Sequence, residues 1–261
     1  MSEMPPRKGT QSIERAALVL REIATRGVAG GGLWDLADRC ELDRGTTHRI
    51  LGALVRERLI EQRASDRRYF LGPLVFELSV TQTWFARYEA TARTTLRHIA
   101  RDLPNSVVLI YMRSEDDAVC LAREGASSYT SEGTGIRIGQ RLPLLSLAGG
   151  AAILGALPRE EAAGIVDRNA KRLAPLGRAR LARIKDLVNK SFAAGHVFGE
   201  GVFWEGVTSA SVPIVSGSGV VLGAIVSSKA SNEFRRAHLP EVLAVLRSAT
   251  EAIRDAADAM A

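Results

Sequence analysis

Leu42-Asp-Arg-Gly-Thr-Thr-His-Arg-Ile-Leu51 is the stretch on which the fold turns. Asp43 to Arg49 are polar, and the apolar positions begin at Ile50 and continue through Leu51, Leu54 and Val55 at helical spacing. That pattern predicts a helix over about 44–58 with Asp43 as its N-cap, because a carboxylate there accepts N–H groups that the first turn leaves unpaired. Upstream, Ile13, Ala16, Ala17, Leu20, Ile23 and Ala24 form one face of another helix, with Ser12 as its expected cap. Gly27 and the run Gly30-Gly31-Gly32 stop that helix, and a short one over 33–40 turns Leu33, Leu36 and Ala37 inward. Downstream the period changes. Ile60-Glu-Gln-Arg63 and Tyr69-Phe-Leu71 flank Ala64-Ser-Asp-Arg-Arg68, which reads as a two-stranded hairpin with a basic tip. Three short helices followed by a hairpin describe a winged helix-turn-helix.

In that arrangement the N-terminal part of the third helix enters the DNA major groove. Arg44, Gly45, Thr46, Thr47, His48 and Arg49 are then the candidate contacts. An arginine can read guanine O6 and N7, and threonines can meet phosphate or a thymine methyl. Arg67 and Arg68 on the hairpin can reach phosphate or the minor groove. His48 reads equally as a packing residue, and the Thr47 methyl can simply pack. Each helix taken alone is an ordinary helix with a solvated polar face; the spacing of all three beside a basic hairpin favours DNA.

Composition sets the bounds. The 261 residues suffice for two ordinary domains, and 46% hydrophobic with 25% charged residues excludes disorder and a disulfide scaffold. The formal charge is +6, and five lysines are far outnumbered by arginines. Arginine forks suit phosphate, although an arginine-favouring genome gives the same bias. No apolar run is long enough to span a bilayer, and MSEMPPRKGT lacks the apolar centre of a secretory signal. A cytoplasmic protein without a membrane partner is expected. Cys40 and Cys120 have no metal-ligand spacing around them, so neither metal nor cofactor is expected. Catalysis is not expected either. His48, His98, His196 and His238 are scattered, and Ser216-Gly-Ser-Gly219 reads as a hairpin turn rather than a nucleophile elbow. Gly133-Thr-Gly-Ile-Arg-Ile-Gly139 has the wrong spacing for a dinucleotide fingerprint.

Pro73 opens a helical stretch through Leu74, Val75, Leu78, Trp84, Phe85 and Tyr88 that runs toward Leu103, with room for a break between a linker and a second-domain helix, and Pro104 ends it. Buried-strand runs follow at 107–112 and 118–122, joined by a turn at Glu115-Asp-Asp117. Helical patterns occupy about 147–157, 159–167 and 177–194; strand-like runs return at 197–198, 209–215 and 220–228. A closing helix carries Pro240 and runs to about Asp258. That order belongs to an α/β or α+β domain. The chain therefore divides into a mobile tail over 1–9, a winged helix-turn-helix over 10–72, a linker helix over 73–90 and a second domain over 91–261.

Ser12-Ile-Glu-Arg-Ala16, Leu36-Ala37, Leu42 through Leu51 and Tyr69-Phe-Leu-Gly72 resemble the IclR (isocitrate lyase regulator) family of transcription factors. Ile138-Gly-Gln-Arg-Leu-Pro143, Gly195-His-Val197 and Glu205-Gly-Val-Thr-Ser-Ala-Ser-Val-Pro-Ile214 continue the resemblance in order and spacing over about 10–258. It implies an α+β chain in which a winged helix-turn-helix is joined by a linker helix to a GAF-like α/β effector-binding domain. It also implies homodimers through the DNA-binding half, often assembled into homotetramers, with double-stranded operator DNA and a small organic acid as partners. Gly45 stands where the family usually has serine, which removes a phosphate donor and lowers helix propensity by up to about 1 kcal/mol. Thr47 replaces a valine-like residue, and Asp43 a common proline.

The resemblance puts the effector between the sheet and the helix after Leu142-Pro143. The matching positions are Leu145, Leu147, Ala148, Gly149, Gly199, Val207 and Ser209. Unpaired amides near Ala148 and Gly149 can hold a carboxylate, although close helix–sheet packing calls for small residues just as well. Leu145, Leu147 and Ala151 stand where the family often carries polar or basic side chains, and Phe198, Phe203 and Trp204 are expected at the same end. An apolar or aromatic acid is therefore expected in preference to a small dicarboxylate. The whole reads as a ligand-responsive bacterial regulator, a repressor or dual regulator of a catabolic operon. Two alternatives stay open at this point: a ligand-independent DNA-binding protein whose second half only oligomerises, and a sensor acting through protein contacts.

Overall fold

Residues 10–81, 83–126 and 135–258 are described by a computed structural model, and the contacts divide the chain between Thr83 and Trp84. The expected tail over 1–9 lies outside the described residues, as do Gly133 and Thr134.

The N-terminal unit contains α1 (Gln11–Arg26), α2 (Leu33–Arg39), α3 (Arg44–Arg56), β1 (Ile60–Gln62) and β2 (Tyr69–Leu71). Thr10, not Ser12, occupies the N-cap position of α1, and its hydroxyl donates to Glu14 one turn on. Val19 and Ile23 of α1, Leu36 of α2, Leu51 and Leu54 of α3, and Ile60 and Tyr69 of the hairpin share one core. Burying each side chain of this kind stabilises by about 1.5–3 kcal/mol, which is what fixes three short helices that would not persist alone. The glycine run also does more than stop α1. Gly31 exchanges backbone hydrogen bonds with Tyr69, 2.9 Å each way, adding a third short strand position to the wing. Gly30 has φ +61° and lies against Phe70, where a Cβ would come within 2.5 Å of the ring.

The stretch over 73–90, expected as one linker helix, contains a break between α4 (Pro73–Ser79) and α5 (Thr83–Asp102). The Ser79 hydroxyl donates to Phe76 O at 2.8 Å and the Thr81 hydroxyl to Leu78 O at 2.7 Å. Phe76 O also takes the Val80 amide at 3.1 Å, whereas Leu78 O is an acceptor a continuing helix would use, so the Thr81 bond competes with its propagation.

The second unit is built on β3 (Val107–Ser114), β4 (Asp117–Gly125), β5 (Arg141–Pro143), β6 (Val197–Glu200), β7 (Val207–Val215) and β8 (Val221–Ala230). These form one antiparallel sheet in the order β5-β4-β3-β8-β7-β6. Between β5 and β6 come α6 (Ala148–Ala156), α7 (Arg159–Arg172) and α8 (Arg178–Ala194), and α9 (Leu239–Asp258) closes the chain. The period of two along β3 sorts the layers. Val108 and Ile110 pack with α5 and α9 through Leu96, Leu246 and Ile253; Val107, Leu109 and Tyr111 face the α6 side. Ala148 to Leu154 of α6 are all buried, which explains a helix with no polar face. The three-residue β5 was not read as a strand in the sequence; it joins the sheet through Val119↔Arg141 and its neighbours. Among the described residues no helix is long and apolar enough to cross a membrane.

Candidate functional site

Two places bring the candidate residues together, one in each unit. At the start of α3, Asp43 sits in an extended conformation and its Oδ1 accepts from the Thr46 amide at 2.9 Å. Hydrogen bonding from Thr46 holds the Asp43 carboxyl below its ordinary range. The cap predicted from sequence is in place, and it starts the helix so that two faces separate. Thr47, Leu51 and Leu54 point inward; Arg44, Gly45, His48 and Arg49 are exposed, with Thr46 half-buried between them.

Those exposed residues are not equivalent. The Arg44 guanidinium lies over the Trp34 ring of α2, 3.2 Å from its centroid, and Trp34 is itself 55% exposed. Arg49 donates to the Thr46 hydroxyl at 3.2 Å along the helix. A Cβ at Gly45 would meet nothing closer than Asp43 Oδ1 at 3.4 Å, so this position has room for a side chain and simply lacks one. Thr47 corrects the reading of it as a contact. It is fully buried, and its hydroxyl donates to Asp43 O at 3.0 Å, so it packs and ties the first turn.

The hairpin tip divides its arginines in the same way. Arg63 grips Asp66 with two hydrogen bonds, 3.0 and 2.6 Å, and lies over Phe70. That grip lowers the Asp66 carboxyl to about 2. Arg67 is exposed at φ +56°, at the outermost bend. Arg68, also read as a DNA contact, instead reaches back to Ala29 O at 2.9 Å and Gly30 O at 3.2 Å. It fastens the wing to the glycine loop, and carbonyls already occupy the donors of its Nη1. Of the candidates read from sequence, Arg44, His48 and Arg49 on α3 and Arg67 on the wing stay exposed.

In the second unit a narrow cavity of about 30 Å³ opens between the sheet and the first turn of α6. Small-molecule sites run to roughly 300–1,000 Å³, so an effector seated here requires the walls to move apart. Leu147, Ala148, Gly149, Val207 and Ser209, all candidates from sequence, line it. Leu147 holds the N-cap position of α6 without a side-chain cap, so the first-turn amides of the helix that borders the cavity have no capping side chain. Gly149 is required by close approach: a Cβ would come within 2.6 Å of the Tyr111 ring and 2.9 Å of Val226. Ser209 on β7 and Ser228 on β8 face each other across the register, with hydroxyls 2.8 Å apart.

Three candidates lie elsewhere. Leu145 is fully buried outside the lining, and its amide donates to Asn169 Oδ1 at 2.9 Å. Gly199 sits under Phe203, whose ring would be 3.0 Å from a Cβ there. Phe198 faces the opposite side of the sheet, edge-on to Phe234, because β6 alternates and Val197 takes the α6 side. Phe203 and Trp204 do line the cavity. Sequence reasoning missed Arg123, Tyr111, Ile136 and Ser228. The spacing Val107, Leu109, Tyr111 carried the signal for Tyr111, and cross-strand pairing with Ser209 the signal for Ser228; nothing local marked Arg123. Cys120 is no nucleophile: burial pushes its thiol up to about 12.

Residues 12–64 match the family described as the IclR helix-turn-helix domain, and residues 88–255 that of the bacterial transcriptional regulator IclR C-terminal domain. A glycerol operon regulatory protein of Streptomyces coelicolor is 27% identical over 250 residues, covering 94% of this chain and 96% of its own. Among solved structures, an IclR homologue from Microbacterium hydrocarbonoxydans complexed with 4-hydroxybenzoate superposes with a TM-score of 0.72. It is 20% identical and covers 95% of this chain and 99% of its own. A transcriptional regulator of the same family from Alicyclobacillus acidocaldarius gives a TM-score of 0.70 at 19% identity, over 95% and 98% of the two chains.

Proposed function

The chain belongs to the IclR family of bacterial transcriptional regulators, and from that membership we propose that it is a cytoplasmic, acid-responsive repressor or dual regulator of a catabolic operon. The observation that carries this reading is the cavity at the uncapped start of α6, in a chain whose α3 turns Arg44, His48 and Arg49 outward. Guanidinium groups on the leading turns of α3 suit guanine edges and phosphate, and Arg67 suits the adjoining backbone. In the cavity, first-turn amides and the Ser209 hydroxyl suit a carboxylate, while Leu147, Phe203, Trp204 and Val226 suit an apolar body. The 4-hydroxybenzoate held by the Microbacterium relative supports an organic acid as the class of effector. Exposed Phe76 and Leu78 on α4 support self-association into a homodimer or homotetramer.

The mechanism is a shift of population. An acid changes DNA affinity only in so far as it binds one state of the protein better than another, and DNA must alter the acid's affinity by the same factor. Fluorescence anisotropy with DNA flanking the protein's own gene, at near-physiological salt and with excess nonspecific competitor, tests this. Specific binding that a panel acid shifts supports the proposal. Specific binding that none shifts removes the sensor half, and failure of genome-wide fragment selection removes the DNA half.

A further inference from the structure

Arg123 is the cavity's unmatched charge. It is the charged residue of the lining, half-buried on β4, and it has no ion pair among the described residues. Its neighbour Glu124 is turned to Arg97, at 3.8 Å. The strand register gives its place. Arg123 pairs with Leu109 on β3, Leu109 pairs with Val226 on β8, and Ser209 lies one strand further, on β7. Arg123 and Ser209 thus stand three strand spacings and two residues of register apart, roughly 16 Å between backbones. Gly149 at the start of α6 lies over Tyr111 and Val226, between the two flanks. An acid seated on the α6 amides and Ser209 occupies the β7–β8 side and leaves the guanidinium facing the cavity from the opposite edge. A guanidinium keeps its charge at any physiological pH, and its fork fits a carboxylate or phosphate with two hydrogen bonds. With Leu109, Tyr111 and Ile136 as the other walls of that end, the group it selects is anionic.

We infer that the cavity takes a two-ended organic dianion, an apolar body with one acid at the α6 amides and a second anionic group held by Arg123. The inference rests on the effector reading and narrows its class: an acid seated at the α6 amides alone leaves Arg123 unpaired. Arg123 is the residue that determines this specificity.

Calorimetry on the full-length protein tests it with matched probes, benzoate against terephthalate and hexanoate against adipate. In the wild type at least one diacid binds about tenfold or more tighter than the monoacid of the same body, the gain of a charge-assisted pair. Arg123→Gln brings that diacid to within about threefold of its monoacid, while Arg123→Lys, keeping the charge without the fork, retains part of the gain. Thermal melts establish that both variants fold. Equal affinities within both pairs, or a diacid preference that survives in Arg123→Gln, overturn the inference while monoacid binding leaves the effector reading standing. Binding of none of the four probes overturns both.

Discussion

Replacing Trp34 by leucine tests whether Arg44 is set in place before DNA arrives. The Arg44 guanidinium lies 3.2 Å from the centroid of the Trp34 ring, and Trp34 is 55% exposed, so water reaches the pair. A cation–π contact at such a site contributes about 0.5–1 kcal/mol. If the ring holds the guanidinium in its DNA-bound direction, losing the ring weakens specific binding by about twofold to fivefold, since 1.4 kcal/mol is a factor of ten. Trp34 takes no part in the core of the winged unit, so thermal stability should change by no more than about 0.5 kcal/mol, the usual range for a surface site. The assay is anisotropy on one operator fragment with Trp34→Leu, Arg44→Ala and the double variant. Because Trp34 acts through Arg44, the double variant should bind no more weakly than Arg44→Ala alone. Additive losses, or unchanged affinity in a folded Trp34→Leu protein, would refute the reasoning.

The wing offers a paired comparison: Arg67→Ala should lower the salt slope of DNA binding by about one, whereas Arg68→Ala, whose Nη1 is held back by the carbonyls of Ala29 and Gly30, should lower it by less. Equal slopes in the two variants would contradict that division. Gly149→Ala should drive a methyl into Tyr111 and Val226, costing about 1–3 kcal/mol in the melt of the second unit and abolishing acid binding by calorimetry. Asp66, lowered to about 2 by Arg63, should titrate there in a carbon-13 NMR experiment. Its depressed value means that the ion pair contributes in full above the unfolded aspartate value of about 4 and is lost as the pH falls toward the folded one. A midpoint near the unfolded value would show the pair absent in solution.

The winged unit was legible because its signals are local. Asp43 caps α3 as its position beside a polar turn required, and Leu51 and Leu54 fell on the buried face that their spacing defined. The alternation Val107 to Tyr111 likewise marked β3. What the sequence concealed depends on partners distant along the chain. Nothing near Arg68 shows that the carbonyls of Ala29 and Gly30, some forty residues earlier, would take its donors. The strand partnership of Gly31 with Tyr69 is hidden for the same reason, since a glycine run signals a stop equally well. In the cavity, the residues of the α6 turn carried their own sign in their smallness. Arg123 did not, because a lone arginine at the end of an apolar strand resembles any edge residue until the register sets it beside Leu109.

The most direct test of acid-responsive DNA binding is reciprocity: the affinity of one acid, benzoate or adipate, measured by calorimetry on the full-length protein free and saturated with operator DNA. The account predicts that DNA changes the acid's Kd by the same factor as the acid changes the DNA's Kd. Identical acid affinity in the free and DNA-bound protein would contradict it.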